Sequence, residues 1–397
     1  MLALLLRLHV VDWWPLSLAR DHLFDLYQTG APTTPNSGHV VVVDVDEASL
    51  ARFGQWPWPR SMMADVTRRL TAAGAVVGFD VAFAEPDRQG GDAEFAEAIG
   101  AGRVVLGSVL VNHRRQPPMQ PKAAFAIMGG WPATLTELAT FPGVIEPVPL
   151  LAKNAAGIGQ ILAGLDDRDG VFRHLPIVAR IGGSLYPSFA LELARVFRGA
   201  PLVTVRVVAW GTPAIDLIAL PGPVVMPTDR QGDVRPRFST APLRTLSILD
   251  VLDGGLAPGT LTDRIAIIGT SARGLGDLRM TPVGILPGVY LHAITLDNIL
   301  TGSLLSRPIW SYTAELAAMF VGGLVVIGAA LTGSRRGTVA AWLVVAVLEA
   351  VGSYVLFRRH GWLVDPVAPI IGVTALLFPY LLLDALRRQR PTAVVEE

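Results

Sequence analysis

Three apolar stretches near the carboxyl end, Tyr312 to Leu331, Thr338 to Phe357 and Val367 to Leu383, constrain this chain more than anything else in it. Each approaches the roughly 20 residues a helix needs to cross a bilayer. Short polar turns separate them, so buried helices of a soluble core are the poorer explanation. Gly322 and Gly323 in the first stretch, and Gly352 and Ser353 in the second, are small residues that let helices approach closely in lipid. Trp310, Tyr312 and Trp362 lie near the boundaries, where aromatic rings favour the headgroup layer. A three-helix transmembrane unit over residues 309–385 is expected, followed by a short cytoplasmic tail at 386–397.

The short loops set its orientation. Arg335 and Arg336 separate the first two spans and Arg387, Arg388 and Arg390 follow the third, whereas Arg358 and Arg359 lie on the other side. Five arginines against two place the long N-terminal region outside the cytoplasm. Glu349 falls inside the second span and Asp384 at the edge of the third. A carboxylate at membrane depth is a functional hypothesis by default; a role for Glu349 in helix association is favoured over ion transport, which would call for more than one such group. Residues 1–37 read as an amphipathic, interfacial lead-in with Trp13 and Trp14. The first ten residues are too short to span and lack a small-residue cleavage site. Export is therefore expected to depend on a span upstream of Met1 or on this segment as a weak anchor.

Composition narrows the rest. Hydrophobic residues make up 51% of the 397 and charged residues 17%, which is apolar for a wholly soluble chain. The 33 basic and 33 acidic residues cancel without long runs, so no nucleic-acid footprint exists. The absence of cysteine excludes disulfides, thiolate metal sites and cysteine nucleophiles together.

Between residues 38 and 308 strand and helix patterns alternate. VVVVDVD from Val40 is a β-branched run of the kind buried in a parallel sheet. Met62, Met63, Val66 and Leu70 recur at helical spacing after a candidate cap at Ser61, and AVVGFDVAF is the next strand. FALELARVFRG, SILDVLDGG and VYLHAITLDNILTG read as helices and RIAIIG as another buried strand. The order predicts one α/β domain with a mixed, largely parallel sheet. Residues 112–156, rich in proline and glycine, read as a long irregular surface insertion.

Several constellations can carry chemistry. Asp44, Asp46 and Glu47 end the first strand and Asp80 nearly ends the second, where open parallel sheets place ligands. Such carboxylates bind a hard cation or act as acid and base, or else cap helices and pin loops, the favoured alternative; Asp46 and Ser49 suit a cap. Trp56 and Trp58 flank Pro57 ahead of Arg60, forming either a pocket wall for an aromatic, sugar or anionic ligand or a packing plug. GTSARGLGD after RIAIIG can cradle an anion with backbone N–H groups, and Asp277 and His292 can converge on it. It matches neither a P-loop nor a dinucleotide fingerprint, and no GxSxG, HExxH or metal-spaced histidine pattern is present. No enzymatic activity, cofactor or metal is expected.

VVVVDVDEASLARFGQWPWPR, AAGAVVGFDVAFAEPD, DDRDGVFRHLP, YPSFALELAR and IAIIGTSARGLGDLRMTPVGILPGVYLHA, in that order over about two thirds of the chain, resemble the second class of CHASE domains. These are extracellular sensor modules associated with cyclases and histidine kinases, and three spans after the sensor also resemble that family's layout. The resemblance implies a bacterial extracytoplasmic sensor in the cytoplasmic membrane that signals to a cyclase or kinase, with no common ligand implied. Asp46, Trp56, Trp58, Arg60, Asp80, Asp169, Arg173, Asp277 and His292 occupy family-like positions, as signature or ligand-binding candidates and not as catalytic groups. The sequence departs from the pattern at Ile294, where an asparagine is expected. The expected function is a sensor or regulatory subunit for an unknown small ligand or extracytoplasmic protein, in contact with membrane lipid, acting through a separate signalling partner and open to homo-oligomerisation. A membrane-anchored assembly protein is the alternative, and a carboxylate- or metal-dependent hydrolase built on Asp44, Asp46 and Asp80 ranks last.

Overall fold

The computed structural model describes residues 14–30, 37–113, 120–129, 135, 138–161, 169–208, 214–229, 231–239, 243–272, 275, 277–332 and 334–388. The expectations for residues 1–13, for Gly274 and Gly276 and for Arg390 fall outside these. The chain divides into two compact units, Pro32–Leu305 and the combination of Met1–Ala31 with Ser306–Glu397.

The first unit is built on a central sheet in which β1 (Val40–Val45) lies between β15 (Arg244–Ser247) and β16 (Ile265–Thr270), and the order continues through β2 (Val76–Ala82) to β3 (Val104–Val111). All these pairings are parallel, as is that of β3 with β7 (Gly157–Ile161); only β6 (Gly143–Ile145) runs antiparallel against β3. All six residues of β1 are buried, because both faces of the sheet are covered. Alternation along the strands divides the core in two. Val40, Val42, Val76, Ile265 and Ile267 pack with helices α6 (Phe189–Arg198) and α8 (Gly288–Thr301). Val41, Val43, Val77, Phe79 and Ile268 pack on the opposite face with α3 (Arg60–Ala72), α4 (Asp92–Gly100), α5 (Pro149–Asn154) and α7 (Ile248–Leu252), with α2 (Glu47–Phe53) at the margin.

Two local expectations need correction. Helix α3 starts at Arg60 rather than after a Ser61 cap, and Pro59 before it offers no side-chain bond. The Asp87 carboxylate, 3.2 Å from the Arg60 N–H, supplies the missing acceptor from a distant loop. The stretch 112–156 is not simply irregular. Within it β4 (Ala124–Met128) pairs in parallel with β11 (Leu202–Val208), starting a second sheet that continues through β12 (Ala214–Ala219) and β13 (Val225–Pro227). Likewise β5 (Thr140–Phe141) pairs with β9 (Val178–Ile181), which pairs with β10 (Ser184–Pro187). These strands are too short to show a period, and their partners lie far along the chain. Two small ladders complete the unit, β8 (Leu175–Pro176) with β14 (Asp233–Val234) and β17 (Leu278–Thr281) with β18 (Gly284–Pro287).

The second unit holds α1 (Trp14–Gly30) and three long helices, α9 (Trp310–Leu331), α10 (Arg335–His360) and α11 (Val367–Arg388). Their apolar windows have mean hydropathies of 2.1, 2.0 and 1.9, and each is long enough to cross a bilayer. Large apolar residues such as Phe320, Leu324, Leu348, Val351 and Phe378 face outward, while Gly322, Gly323 and Ser353 are buried. That inversion of a soluble bundle suits lipid as solvent. Ser334 caps α10 by accepting the Gly337 N–H at 3.1 Å, and Gly361 ends it in the left-handed region. Helix α1 packs by its Tyr27 ring against Tyr354 and Phe357, with the hydroxyl 3.3 Å from Ser353 Oγ.

Candidate ligand site at the carboxyl ends of the parallel strands

Strands β1, β16 and β2 are neighbours and end on the same edge of the sheet, bringing Asp44, Ser271 and Asp80 to that edge. In open parallel sheets this edge is where ligands bind. Ser271 donates its backbone N–H to Asp44 Oδ1 at 2.9 Å and its hydroxyl to Oδ2 at 2.6 Å. The start of the glycine-rich loop therefore already holds a carboxylate of the chain itself. Burial pushes Asp44 above the ordinary carboxylate range, against the lowering effect of the Ser271 bonds.

Helix α8 closes the edge. Its approach is close because Gly269 and Gly288 lack side chains: a Cβ at Gly269 would strike Val289, and one at Gly288 would strike the Asp277 carboxylate. The Gly288 N–H also donates to the Asp277 carbonyl at 2.9 Å. One turn into α8, His292 Nε2 stands 3.6 Å from Asp80 Oδ1, with side-chain exposures of 2% and 6%. That distance suits an ion pair, yet the electrostatics oppose one. Burial, with a smaller contribution from the Asp277 charge, pushes Asp80 up to about 8, and burial pushes His292 down to about 4. Between those values both groups are neutral, a carboxylic acid beside an imidazole. Asp277 is also raised by burial, with Arg279 opposing. Among the described residues His292 Nδ1 is buried without a hydrogen-bond partner, and the ring meets Phe189 edge to face with centroids 5.4 Å apart. Tyr290 adds a hydroxyl 3.2 Å from that of Thr245. The cluster is a buried, low-dielectric group of polar side chains with the chemistry to exchange protons and hydrogen bonds with a polar ligand.

The remaining sequence candidates stand apart from this group. Asp46 is the N-cap of α2, its Oδ1 accepting from the Ser49 N–H at 2.8 Å and the hydroxyl at 2.5 Å. Trp58 is 3% exposed, donates Nε1–H to Gly54 O at 3.0 Å, and meets Phe53 and Trp56 edge to face at 5.3 and 5.2 Å. Arg60 lies 4.4 Å over the Phe83 ring and donates to Glu85 O at 3.3 Å, with Asp92 3.6 Å away. These three belong to a plug on the α3 face. Asp169 and Arg173 form a bidentate pair at 2.9 and 2.8 Å, and the guanidinium holds Asp169 down to about 2. The Phe172 N–H ties that segment to Met280 O on β17 at 2.7 Å.

Thus Asp80, Asp277 and His292 meet, whereas Asp46, Trp56, Trp58, Arg60, Asp169 and Arg173 hold other parts of the domain. The trio Asp44, Asp46 and Asp80 does not converge. Among the described residues the ligand-type side chains that do are His174, Asp229 and Asp233, whose donor atoms lie within 4.8 Å of one another. Sequence reasoning missed that group and also Ser271 and Tyr290. Residues that far apart give no local signal, although the position of Tyr290 two residues before His292 could have flagged it.

The chain thus joins an α/β domain with ionisable groups buried at its strand ends to three helices long and apolar enough to cross a membrane. The family model of the CHASE2 domain matches residues 1–330. The chain belongs to the CHASE2 family, a family of sensory extracellular domains. No curated protein and no solved structure matches it.

Proposed function

We propose that this chain is the sensing subunit of a bacterial signal-transduction system, anchored in the cytoplasmic membrane with the Pro32–Leu305 unit extracytoplasmic. Its ligand binds at the strand-end site of Asp80, Asp277 and His292, and the response passes through the membrane helices to a kinase or cyclase partner. The carrying observation is the position of α8: it contributes His292 to the site, and only residues 302–309 separate its end from the first membrane helix α9. A ligand that prefers one setting of α8 biases the helix that follows, provided its affinity differs between the two settings. The loop arginines support the orientation. In this reading the chain itself catalyses no reaction.

A second reading, an assembly protein that holds another extracytoplasmic protein, draws support from the β17–β18 hairpin, where Leu278, Met280 and Ile285 are exposed together. Purifying the detergent-solubilised complex from its own membrane separates the two. A stoichiometric histidine kinase, serine/threonine kinase or cyclase is the expected companion; envelope structural proteins in its place would transfer the assignment to the second reading.

A further inference from the structure

Two carboxylates within the candidate membrane spans are treated differently by this fold. Glu315 on α9 is fully provided for: Oε2 accepts from Arg307 Nη2 at 2.8 Å and Oε1 from the Asp365 N–H at 2.7 Å. Glu349 on α10 is not. Both of its oxygens are buried, and among the described residues neither has a hydrogen-bond partner. Its carboxyl sits against the notch left by Gly322 on α9, where an added Cβ would lie 3.3 Å from Oε1, 2.7 Å from Val345 and 3.2 Å from Val373 of α11.

No ionisable group described on the surrounding elements pairs with the Glu349 carboxyl. On α9 the nearest is Glu315, about two turns from Gly322 and engaged as above. On α11 the facing residue is Val373, next to Thr374, whose hydroxyl takes the Trp342 indole N–H at 3.0 Å. On α10 itself Tyr354 and Arg358 follow towards the Gly361 end, and α1 brings Tyr27, which is occupied with Ser353. Among the described residues no cation reaches the Glu349 carboxyl. An ionised carboxylate in hydrocarbon with neither water, donor nor cation costs several kcal/mol, and a group so placed takes up a proton instead.

We propose that Glu349 is a proton-binding site at the α9–α10 contact, carrying its proton whenever the Gly322 notch is closed. Loss of that proton leaves a charge that only water or a cation can satisfy, so the ionised form requires the notch to open. The two helix arrangements thus differ by one bound proton, and anything that shifts one shifts the other. That this opening carries a signal rests on the function proposed above; the proton site does not.

The test uses the full chain in native-like membranes. Infrared difference spectra between wild type and Glu349→Gln are expected to show a protonated-carboxyl band present in wild type and lost in the variant at neutral pH; its absence from wild type overturns the site. Dicyclohexylcarbodiimide on wild type alone gives a second readout should the variant fold poorly. The carboxyl O–H adds across a carbodiimide C=N, oxygen to carbon and proton to nitrogen, and the O-acylisourea rearranges to a stable N-acylurea with no leaving group. Peptide mass spectrometry is expected to find the adduct on Glu349 and none on the ion-paired Glu315. Equal labelling of both, or none on Glu349, also overturns the site. Neither readout depends on a signalling partner, so failure of the proposed function and failure of the proton site are separable.

Discussion

At the scale of single residues, the strand-end site is defined by desolvation more than by pairing, and pH dependence reports that. Asp80 is raised from 3.8 to about 8, so between those values the folded state keeps a proton that the unfolded chain has lost. Its contribution is greatest below 3.8 and is lost as pH rises towards 8, at up to about 1.4 kcal/mol per pH unit. His292 is lowered from 6.5 to about 4, so there the unfolded chain binds the extra proton and stability rises with pH. The two slopes oppose each other from about 4 to 6.5. Above that the descending one dominates, a net fall of about 1 kcal/mol by pH 8. Asp44 and Asp277 are also raised by burial, so each loses its contribution as pH rises through its own folded value. Thermal unfolding of the solubilised chain is expected to show this alkaline decline, and Asp80→Asn to flatten it; an unchanged decline in the variant would mean that Asp80 is not protonated in the folded domain. Of this, only the position of Asp80 at a strand end was legible in the sequence. Its protonation depends on the cover that α8 provides from more than 200 residues away.

At the scale of elements, α8 illustrates what periodicity can and cannot say. VYLHAITLDNILTG read as a helix because its residues suit one, and the helix runs Gly288–Thr301. Nothing in that pattern says that its first residue must be glycine. The requirement comes from the Asp277 carboxylate, which occupies the space a Cβ would take. Gly288→Ala is expected to destabilise the domain by about 1–3 kcal/mol, the usual cost of overpacking. Adding Asp277→Gly should recover most of it, because the three atoms nearest the new methyl all belong to that side chain. Denaturant midpoints of the single and double variants check both statements. The opposite lesson comes from β4, β5 and β6, in a stretch that read as irregular: two to five residues each, they exist because β11, β9 and β3 offer them open edges. Such strands are products of pairing, not of propensity.

At the scale of the whole molecule, the chain joins a domain whose core excludes water to helices whose outer faces exclude it too. The absence of native cysteine makes orientation directly measurable. A membrane-impermeant maleimide applied to spheroplasts is expected to label Glu97→Cys, on the exposed face of α4, at once, and Thr332→Cys, at the α9–α10 turn, only after permeabilisation. The reverse pattern would place the α/β domain in the cytoplasm. By itself the sequence determined the three spanning helices, the alternation of strand and helix, and the capping of α2 by Asp46, since each rests on residues within a few positions of one another. Tertiary structure alone decided that Asp44 meets Ser271 from 227 positions away, that Asp80 and His292 face each other in a buried site, that Trp56, Trp58 and Arg60 form a plug, and that Glu315 is partnered while Glu349, among the described residues, is not. The physical reason is that hydrogen-bond satisfaction and desolvation depend on what surrounds an atom in space, whereas periodicity and capping depend only on neighbours along the chain.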